Sequence, residues 1–551
     1  MSRVGILKLD LLSPLKGIVK RVRRNRVRQI MRGYRHLKAS GDLARLTGVK
    51  EELTRTDLKS INTRVSKLMF GAGRCDSEIA TRQYMLIRVC GLGLNKALLA
   101  SLSAPGASVV YPLPSEWIDL VKKHGFTVSR TQCLIRWYGY VFLILGYGAL
   151  KSLERIFSSA KEIVSPSLPK LGKFVYFEML SKANLPQPAK DGRSFDVISW
   201  YLGNANSFND LDSICHSVKG ADSSAVEGVQ VLSVPSGVLP LSSSSGLLRY
   251  VGWCFAAIFL AVFDLLRGRW WHAFMFNEAS QAAIQRMQSP NLLAAEYMFH
   301  NSNWIYRPLW TYEVVQRGAE ITFYFYSTNI EPFKSPDGYR NYPYGLKAIS
   351  WPRCLVWDEY QARYIHGATD GRVETQVVGP VWFHTSSEEM PPTNVDGIAL
   401  FDVTPYRASL YVTLGVDPEY YLPETSNKFA EDSYRLAVKN GCSIFWKRKR
   451  DVGKLAHPKY TAVVDKLSER DGVVVVDTNV SAFRVIEASE LVISLPFTST
   501  AQIAQELGKP TCYYDPTGMV QKDDLAAHGI PIISGPNELD EWIRDQRRVE
   551  L

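Results

Sequence analysis

The clearest pattern along the chain is an alternation of short apolar runs with segments of helical periodicity. It begins near residue 105 and is most regular after residue 396, where apolar runs at 397–402, 442–447 and 491–495 alternate with amphipathic segments. Short continuous apolar runs are typical of strands buried on both faces, and strands that alternate with helices favour parallel sheets. The pattern therefore predicts an α/β fold with two Rossmann-like domains.

A polar segment separates the two domains. Residues 384–394 read HTSSEEMPPTN, and this composition with its Pro-Pro pair is typical of a linker. We therefore predict a basic helical N-terminal extension at 1–104, an N-terminal α/β domain at 105–390 and a C-terminal Rossmann-like domain at 391–551.

The first α/β domain also contains candidate strands. We predict strands at Phe174–Leu180, Phe195–Tyr201 and Val229–Val234, and an extended region at Leu346–Val356 that Pro352 interrupts.

Two dense apolar segments, 137–150 and 250–266, lie within the first α/β domain. Each is short for a bilayer span, which needs about 20 apolar residues, and Asp264 interrupts the second. Buried core helices are the leading interpretation. A shallow membrane-docking helix is the alternative, because Trp, Tyr and Arg at the ends suit an interface.

The N-terminal residues 13–40 are strongly basic, with apolar residues interleaved at near-helical spacing. This pattern fits a basic amphipathic helix on an anionic membrane, or a solvated charged helix face. Nucleic-acid binding is the third interpretation, but no base-stacking or groove-reading motif accompanies the charge.

Composition places the chain among ordinary globular proteins with one unusual feature. Of 551 residues, 46% are hydrophobic and 22% charged, which can fill a large core, while the net charge of +11 favours acidic or phosphate-bearing partners. The eight cysteines form no CxxC pair, and no signal peptide is recognisable at the N-terminus. We expect reduced core cysteines and a cytoplasmic protein.

The stretch 491–516, LVISLPFTSTAQIAQELGKPTCYYDP, holds the strongest candidate site. It predicts a buried strand that Pro496 ends, a helix that begins at Thr498, Ser499 and Thr500, and a further strand after Pro510. Free N–H groups at a helix start attract anions, and this edge of an open α/β sheet is where phosphate groups bind. The three hydroxyl residues are therefore predicted to contact a phosphate-bearing ligand.

The same stretch resembles a known family. Pro496-Phe497-Thr498-Ser499, Gly508-Lys509-Pro510 and Tyr513–Pro516 resemble the signature of bacterial polysaccharide biosynthesis proteins named for their PFTS motif. The close resemblance covers about the last third of the chain. The surrounding layout resembles the nucleotide-sugar domain of GT-B glycosyltransferases, which implies a GT-B-like fold and a nucleotide-sugar-binding C-terminal domain.

A second resemblance concerns His457-Pro458, followed some 40 residues later by the Ser/Thr cluster. The pair is similar to the nucleotide-binding pattern of bacterial sialyltransferases and Kdo transferases, which use CMP-activated sugars. It implies that His457 contacts the nucleotide phosphate beside Ser499 and Thr500. The acidic-acidic-glycine motif that supplies the base in those enzymes is absent from the first domain.

Further donor-binding candidates follow the other predicted strands of the C-terminal domain. Arg407 comes after the first strand, and Lys447 and Lys449 stand in a run of four cations after the second, where they suit a diphosphate. Glu506, in the helix after the hydroxyls, is at the position where many GT-B enzymes hold the ribose.

Sugar transfer also needs a base for the acceptor hydroxyl, and this base should come from the first domain. The candidates are Glu296 and His300, around the strand 295–301, and Asp358 after the strand that ends at Val356. Asn301, Asn303, Trp304 and Arg307 form a polar and aromatic cluster that suits a sugar acceptor. No metal-binding motif accompanies them, so we expect a metal-independent reaction without a cofactor beyond the donor.

The sequence thus predicts a GT-B-like glycosyltransferase that acts on a surface polysaccharide or a lipid-linked glycan. We expect it at the inner face of the cytoplasmic membrane, as a peripheral protein that contacts anionic lipid and binds no nucleic acid. A nucleotide-sugar epimerase and a non-catalytic membrane-associated scaffold of polysaccharide assembly remain alternatives.

Overall fold

The structure is a computed structural model. It describes residues 13–56, 63–71, 74–186, 196–300, 306–328, 331–339, 341–381, 390, 397–407, 410–411, 420–448, 452–478 and 480–549. The chain forms two compact units. The first comprises Met1–Thr56, Leu86–Tyr140 and Ala408–Asp417, and the second comprises Asp57–Met85, Val141–Arg407 and Pro418–Leu551. Both sheets lie in the second unit.

The described residues before the first sheet are mainly helical. The helices are α1 Ser13–Ala39, α2 Ala44–Arg55, α3 Thr63–Phe70, α4 Arg74–Val89, α5 Leu92–Ser101, α6 Ser115–Lys123 and α7 Arg130–Val164. Helix α1 buries Ile30, Tyr34 and Leu37, which lie on one helical face, and packs closely on α5. A Cβ at Gly33 would lie 1.8 Å from the carbonyl oxygen of Leu99, so only glycine permits this approach.

The first sheet has eight strands in the order β3-β4-β2-β1-β5-β6-β7-β8. The strands are β1 Phe174–Phe177, β2 Ser213–His216, β3 Ser224–Val226, β4 Val229–Ser233, β5 Glu296–His300, β6 Glu320–Tyr324, β7 Arg353–Val356 and β8 Glu374–Val377. Its helices are α8 Val197–Asn204, α9 Ser244–Leu266, α10 Trp271–Met287, α11 Trp310–Val315, α12 Tyr344–Lys347 and α13 Glu359–Thr369. Neighbouring strands are parallel to each other, with the exception of the pair β3–β4, which is antiparallel.

The second sheet has six parallel strands in the order β11-β10-β9-β12-β13-β14. The strands are β9 Gly397–Phe401, β10 Ser443–Lys447, β11 Val473–Val476, β12 Leu491–Ser494, β13 Thr511–Asp515 and β14 Ile532–Ser534. The described helices, numbered on from α13, are α14 Pro423–Lys439, α15 Pro458–Ser468, α16 Ala482–Glu487, α17 Ser499–Glu506 and α18 Gly535–Val549. Fully buried residues such as Ile398, Phe429 and Ile493 form the core between strands and helices.

The predicted fold class is confirmed, since two doubly wound α/β domains follow a helical, basic N-terminal part. The strands lie within the predicted limits 105–390 and 391–551. The boundaries themselves stay a prediction.

Individual elements of the first domain differ from the prediction. The strand predicted at Phe195–Tyr201 is wrong, because Asp196 accepts hydrogen bonds from the N–H groups of Ile198 and Ser199 and so caps helix α8. The extended region predicted at Leu346–Val356 is in part helix α12. Strands β2 and β3 were not predicted, since both are short and neither lies in a long apolar run.

The interpretation of the two apolar segments as buried core helices is also wrong. They lie in α7 and α9, which are long and apolar enough to cross a membrane, yet only 28% and 33% of their most apolar windows are buried. Exposed side chains include Leu143 (74% exposed) and Phe157 on α7 and Phe255 (74%), Phe259 and Leu266 on α9. Each helix therefore presents a bare apolar face.

Candidate functional site

The turn after strand β12 holds a strained residue. Phe497 has a φ of 62°, in the left-handed region that bulky side chains disfavour. Its buried ring packs 4.7 Å from the ring of Phe333 and 5.7 Å from that of Tyr513. Such strain persists only where the surroundings enforce it, and it is concentrated at functional sites.

The hydroxyl residues after Phe497 form a connected group at the start of α17. The Thr498 hydroxyl donates to the Leu495 carbonyl at 3.0 Å, and the Thr500 hydroxyl lies 3.1 Å from that of Ser494 and 3.2 Å from that of Thr498. The side chain of Thr498 therefore does not cap the helix, although threonine is a good cap. Ser499 and Thr500 are half-buried beside this helix start.

Both sheets reverse their strand order at one point, which is where open α/β sheets bind ligands. In the second sheet this point lies between β9 and β12, so the turn at Phe497 follows one of its two strands. In the first sheet it lies between β1 and β5, and His300 ends β5. The structure therefore puts Thr498–Thr500 and His300 beside the switch points of the two sheets.

His300 joins the two switch strands of the first sheet. Its Nε2 lies 3.4 Å from the carbonyl oxygen of Met179, just after β1, and its ring centroid is 4.5 Å from that of Tyr326. Burial lowers the pKa of His300 to about 4, against a small opposing effect of the Met179 carbonyl. The imidazole is therefore neutral at pH 7, and the carbonyl contact assigns its proton to Nε2.

Arg407 and His457 are brought together by paired loops after β9 and β10. The backbone N–H of Arg407 donates to the Leu455 carbonyl at 3.0 Å, and that of His457 donates to the Pro405 carbonyl at 2.9 Å. The His457 Nδ1 accepts from the Lys459 N–H and so caps α15. Arg407 is exposed.

Asp402, directly after switch strand β9, is an ionisable residue that the sequence prediction did not select. It is 2% exposed and accepts a hydrogen bond from the Tyr460 hydroxyl at 2.5 Å. Burial raises its pKa to about 6, while the Tyr460 hydrogen bond and the nearby Arg448 oppose the rise.

The remaining donor-site candidates lie apart from the hydroxyl group. The Lys447 ammonium is buried and donates to the carbonyls of Asp477 and Thr478, so it ties β10 to β11. Glu506 is exposed in the last turn of α17, about 10 Å along the helix axis from Ser499. Lys449 lies outside the described residues, as do Asn301, Asn303 and Trp304 of the predicted acceptor cluster.

Two members of the predicted acceptor side are engaged in packing. Glu296 is fully buried at the amino end of β5, the opposite end from His300, where it accepts from Tyr201, Thr322 and Arg353. Arg307 is buried, stacks on Tyr312 and donates to Thr311. The geometry gives both residues a structural role.

Asp358 belongs to a charged cluster that links the two sheet domains. Its carboxylate caps α13 and accepts from the Nδ1 of His528 at 2.6 Å, while the Nε2 of His528 donates to Glu331 at 2.9 Å. Burial lowers the pKa of His528, but the hydrogen bonds and charges of Asp358 and Glu331 outweigh it and raise the pKa to about 9. His528 is therefore protonated at neutral pH.

Other contacts near this cluster also join the two domains. The Thr328 hydroxyl donates to Gln502 of α17 at 2.5 Å, and the Lys334 N–H donates to Asp524 at 2.7 Å. Together with Phe333 on Phe497, they bring the loop after β6 against the turn at Thr498–Thr500.

The residues that match a known protein family include the turn at Thr498–Thr500. The sequence model of the family described as "Polysaccharide biosynthesis PFTS motif protein" matches residues 253–543, more than half of the chain. The chain belongs to this PFTS family. The match begins well before the stretch that carries the resemblance, and it includes β5, α13 and the whole second sheet.

Comparisons of the PFTS protein with other proteins give weaker similarities. No curated protein matches its sequence. Among solved structures it is similar to the wall teichoic acid polymerase TagF, with 11% identity, 73% of this chain and 89% of that chain covered, and a TM-score of 0.34. It is also similar to the UDP-forming α,α-trehalose-phosphate synthase from Burkholderia xenovorans, with 11% identity, 68% and 92% covered, and a TM-score of 0.34.

A third similarity is to the UDP-GlcNAc 2-epimerase of Methanocaldococcus jannaschii. It has 10% identity, covers 49% of this chain and 74% of that chain, and has a TM-score of 0.28.

In the described part of the PFTS protein, no group of three His, Cys, Asp or Glu residues could hold a metal ion. Its site chemistry there consists of hydroxyls, helix N–H groups, an arginine, two histidines and carboxylates.

Proposed function

We propose that this PFTS protein is a glycosyltransferase that transfers a sugar from a nucleotide-activated donor to a surface polysaccharide or lipid-linked glycan. The observation that carries the proposal is the hydroxyl-lined helix start at the switch point of the second sheet, in contact with the first domain. A family that makes polysaccharides needs such donors, and this position in an open sheet suits their phosphates.

The donor phosphates are proposed to lie against the start of α17. Ser499 and Thr500 offer hydroxyl donors, the helix start offers backbone N–H groups, and Arg407 and His457 supply cationic or polar contacts from the neighbouring loops. These groups offset the charge of the leaving nucleotide without a metal ion. The proposal includes every nucleotide class, and a CMP-linked sugar is one candidate.

His300 is proposed as the base that takes the proton of the acceptor hydroxyl. His300 is a neutral imidazole at the switch point of the first sheet, and a neutral imidazole can accept a proton. Asp358 is the alternative, but its two carboxylate oxygens accept from His528 and from the Gln361 N–H. The buried position of Glu296 argues against a role in proton transfer.

A thermal-shift experiment with UDP, GDP, CMP, CDP and dTDP tests the donor site. A nucleotide that binds only the native state raises the melting temperature. At a nucleotide concentration of 100 times Kd, the free energy of unfolding rises by about 2.7 kcal/mol. We expect one nucleotide to give a shift that is lost in the Ser499→Ala/Thr500→Ala variant.

The matched control is Ser468→Ala, because Ser468 is an exposed helical serine of the same domain whose hydroxyl bonds only to Asp465 of its own helix. It should keep the wild-type shift. An equal shift in the Ser499→Ala/Thr500→Ala variant, or no shift with any nucleotide, would overturn the proposed donor site.

We further propose that the enzyme works as a peripheral protein at the inner membrane, held by the bare faces of α7 and α9. Large apolar patches on a soluble protein mark interaction sites. Both helices are anchored on α10 through the hydroxyl of Ser280. This hydroxyl lies 2.8 Å from the Ser152 hydroxyl of α7 and 2.5 Å from the Tyr250 hydroxyl of α9. Their opposite faces are therefore left for lipid.

The cations at the two ends of α9 favour an anionic bilayer as the partner. Exposed Arg249 and Arg267 flank the apolar face, and the guanidinium of Arg267 lies 3.9 Å from the Phe263 ring centroid. The basic helix α1 is a weaker candidate, because from Ile30 onward its apolar face is buried on α5.

Sedimentation with vesicles of phosphatidylglycerol and phosphatidylcholine tests this location. We expect the wild type to sediment and the Phe255→Glu/Phe259→Glu variant to stay in the supernatant. Val438→Glu is the control, since Val438 is 50% exposed on α14 of the other domain. Equal sedimentation of the Phe255→Glu/Phe259→Glu variant and the wild type would contradict the assignment of the docking face.

A further inference from the structure

A cavity with four tyrosines lies at the carboxyl edge of the first sheet, on the side of β6 and β7. It has a volume of about 330 Å³, and Tyr339, Tyr342, Tyr360 and Tyr364 line it together with Arg363 and Glu331. We call this cavity the tyrosine pocket. It belongs to none of the donor contacts proposed above.

We propose that the tyrosine pocket binds one neutral sugar unit of the acceptor glycan. This inference rests on the proposed function and names the class of acceptor group that it would take. Ligand pockets in proteins have volumes of roughly 300–1,000 Å³, so this one is small and suits a single sugar ring better than a whole nucleotide-sugar.

The aromatic walls fit the apolar face of a sugar ring. The rings of Tyr342 and Tyr364 lie 5.3 Å apart at 59°, and the guanidinium of Arg363 stacks 4.6 Å from the centroid of Tyr360. The C–H groups of a pyranose pack on such faces, while phenol hydroxyls and the guanidinium offer hydrogen bonds to its hydroxyls at the edges.

A carboxylate of fixed position completes the pocket. The side chain of Glu331 is 6% exposed, and among the described residues its hydrogen-bond partner is the protonated His528, through Oε1. Its other oxygen is then an acceptor for a sugar hydroxyl. His528 carries one positive charge against the two negative charges of Glu331 and Asp358, so this group of three disfavours a phosphate or carboxylate ligand at the same point.

The pocket is also close in space to the proposed donor site. Glu331 and Pro332 line it, and the next residue, Phe333, packs on the strained Phe497 of the turn at Thr498–Thr500. A sugar held in the pocket would therefore lie near the turn at Thr498–Thr500, where the donor phosphates are proposed to bind.

Saturation-transfer NMR with a panel of methyl glycosides tests the proposal. The panel contains the methyl glycosides of glucose, galactose, mannose, rhamnose and N-acetylglucosamine, with the full-length protein. We expect saturation transfer to at least one glycoside, strongest at the ring C–H protons, and a loss of affinity of about tenfold or more in Tyr342→Ala.

Two further variants separate binding from folding. Tyr364→Phe keeps the ring, so it should weaken binding less than Tyr342→Ala. Tyr147→Ala removes a tyrosine that is 53% exposed on α7, outside the pocket, and should bind as the wild type does. Melting temperatures of all three identify a variant that has simply lost its fold.

No transfer to any glycoside, or equal affinity in folded Tyr342→Ala and wild type, would overturn the pocket. Competition of the glycoside by UDP or CMP at this pocket would do the same. The donor site fails separately, since its thermal shift depends on Ser499 and Thr500 and not on Tyr342.

Discussion

At the scale of single residues, Phe497 shows how the site is built from strain and packing together. The sequence predicted a turn here from Pro496 and the hydroxyls that follow, but it gave no sign that a phenylalanine would adopt a φ of 62°. That conformation depends on Phe333, which lies more than 160 residues earlier in the chain, and on Tyr513 of β13. Contacts over such separations leave no periodic signal in a sequence.

Substitution of Phe497 separates the two contributions. Phe497→Ala loses the buried ring and should lower the free energy of unfolding by about 3 kcal/mol. Phe497→Gly loses the same ring but relieves the strain of the left-handed backbone conformation. That conformation is unfavourable by about 1–2 kcal/mol for residue types other than glycine. We therefore expect the glycine variant to be at least as stable as the alanine variant in urea unfolding, against the usual order. An alanine variant that is clearly more stable would show that the turn carries no strain.

His528 predicts a pH dependence of stability. Its pKa rises from 6.5 to about 9 on folding, so it contributes stability that is fully present below pH 6.5 and is lost as the pH rises through 9. The difference corresponds to roughly 3 kcal/mol. The charged groups that face it are Asp358 and Glu331, and burial raises the pKa of Glu331.

Urea unfolding between pH 6 and 10 measures this effect. The free energy of unfolding of the wild type should fall over pH 6.5–9 relative to that of His528→Gln, which lacks the titrating group. Parallel curves for the two proteins would mean that His528 is not held between the two carboxylates.

At the scale of elements, the regular strands and helices were predictable where hydrophobic runs were long. Strands β9, β10, β12 and β13 of the second sheet coincide with predicted runs, because most residues of each strand are buried. The first domain was harder. Asp196 gave a helix where an apolar run indicated a strand, and the short β2 and β3 depend on neighbouring strands for their pairing.

Glu296 was selected from the sequence as a candidate base, but it lies away from the switch point of the first sheet. An acidic residue beside a histidine on a strand suits catalysis in sequence, but the two residues stand at opposite ends of β5. Glu296 instead joins three strands and a helix, through Arg353 of β7, Thr322 of β6 and Tyr201 of α8.

Glu296→Gln should therefore damage the fold and leave the nucleotide shift intact. Breaking a buried ion pair leaves an uncompensated charge and costs about 3–5 kcal/mol. Glu320→Gln is the matched control, because Glu320 also pairs with Arg353, at 3.2 Å, but is 49% exposed and should cost under about 1 kcal/mol. Equal stabilities of the two variants in urea unfolding would contradict the structural role of Glu296.

At the scale of the whole molecule, the loop after β6 of the first sheet and the turn after β12 of the second sheet meet at one contact region. The sequence could predict both α/β domains and the helix start at Thr498–Thr500, since these lie in local patterns. It could not predict the cluster of Glu331, Asp358 and His528, because His528 lies 170 positions after Asp358 and 197 positions after Glu331. The bare faces of α7 and α9 were also hidden, because an apolar run does not reveal whether protein or lipid will cover it.

The central claim is sugar transfer with the donor held at Ser499 and Thr500. The most direct measurement incubates the purified protein with labelled nucleotide-sugars and a bacterial lipid extract, and follows both the label and the released nucleotide. The account predicts that label enters the lipid-linked glycan fraction, that free nucleotide appears in equal amount, and that both are lost in the Ser499→Ala/Thr500→Ala variant. Conversion of the sugar into its epimer without transfer would contradict the account and indicate a nucleotide-sugar epimerase. Absence of turnover with every donor would contradict it as well, and would indicate a scaffold of polysaccharide assembly.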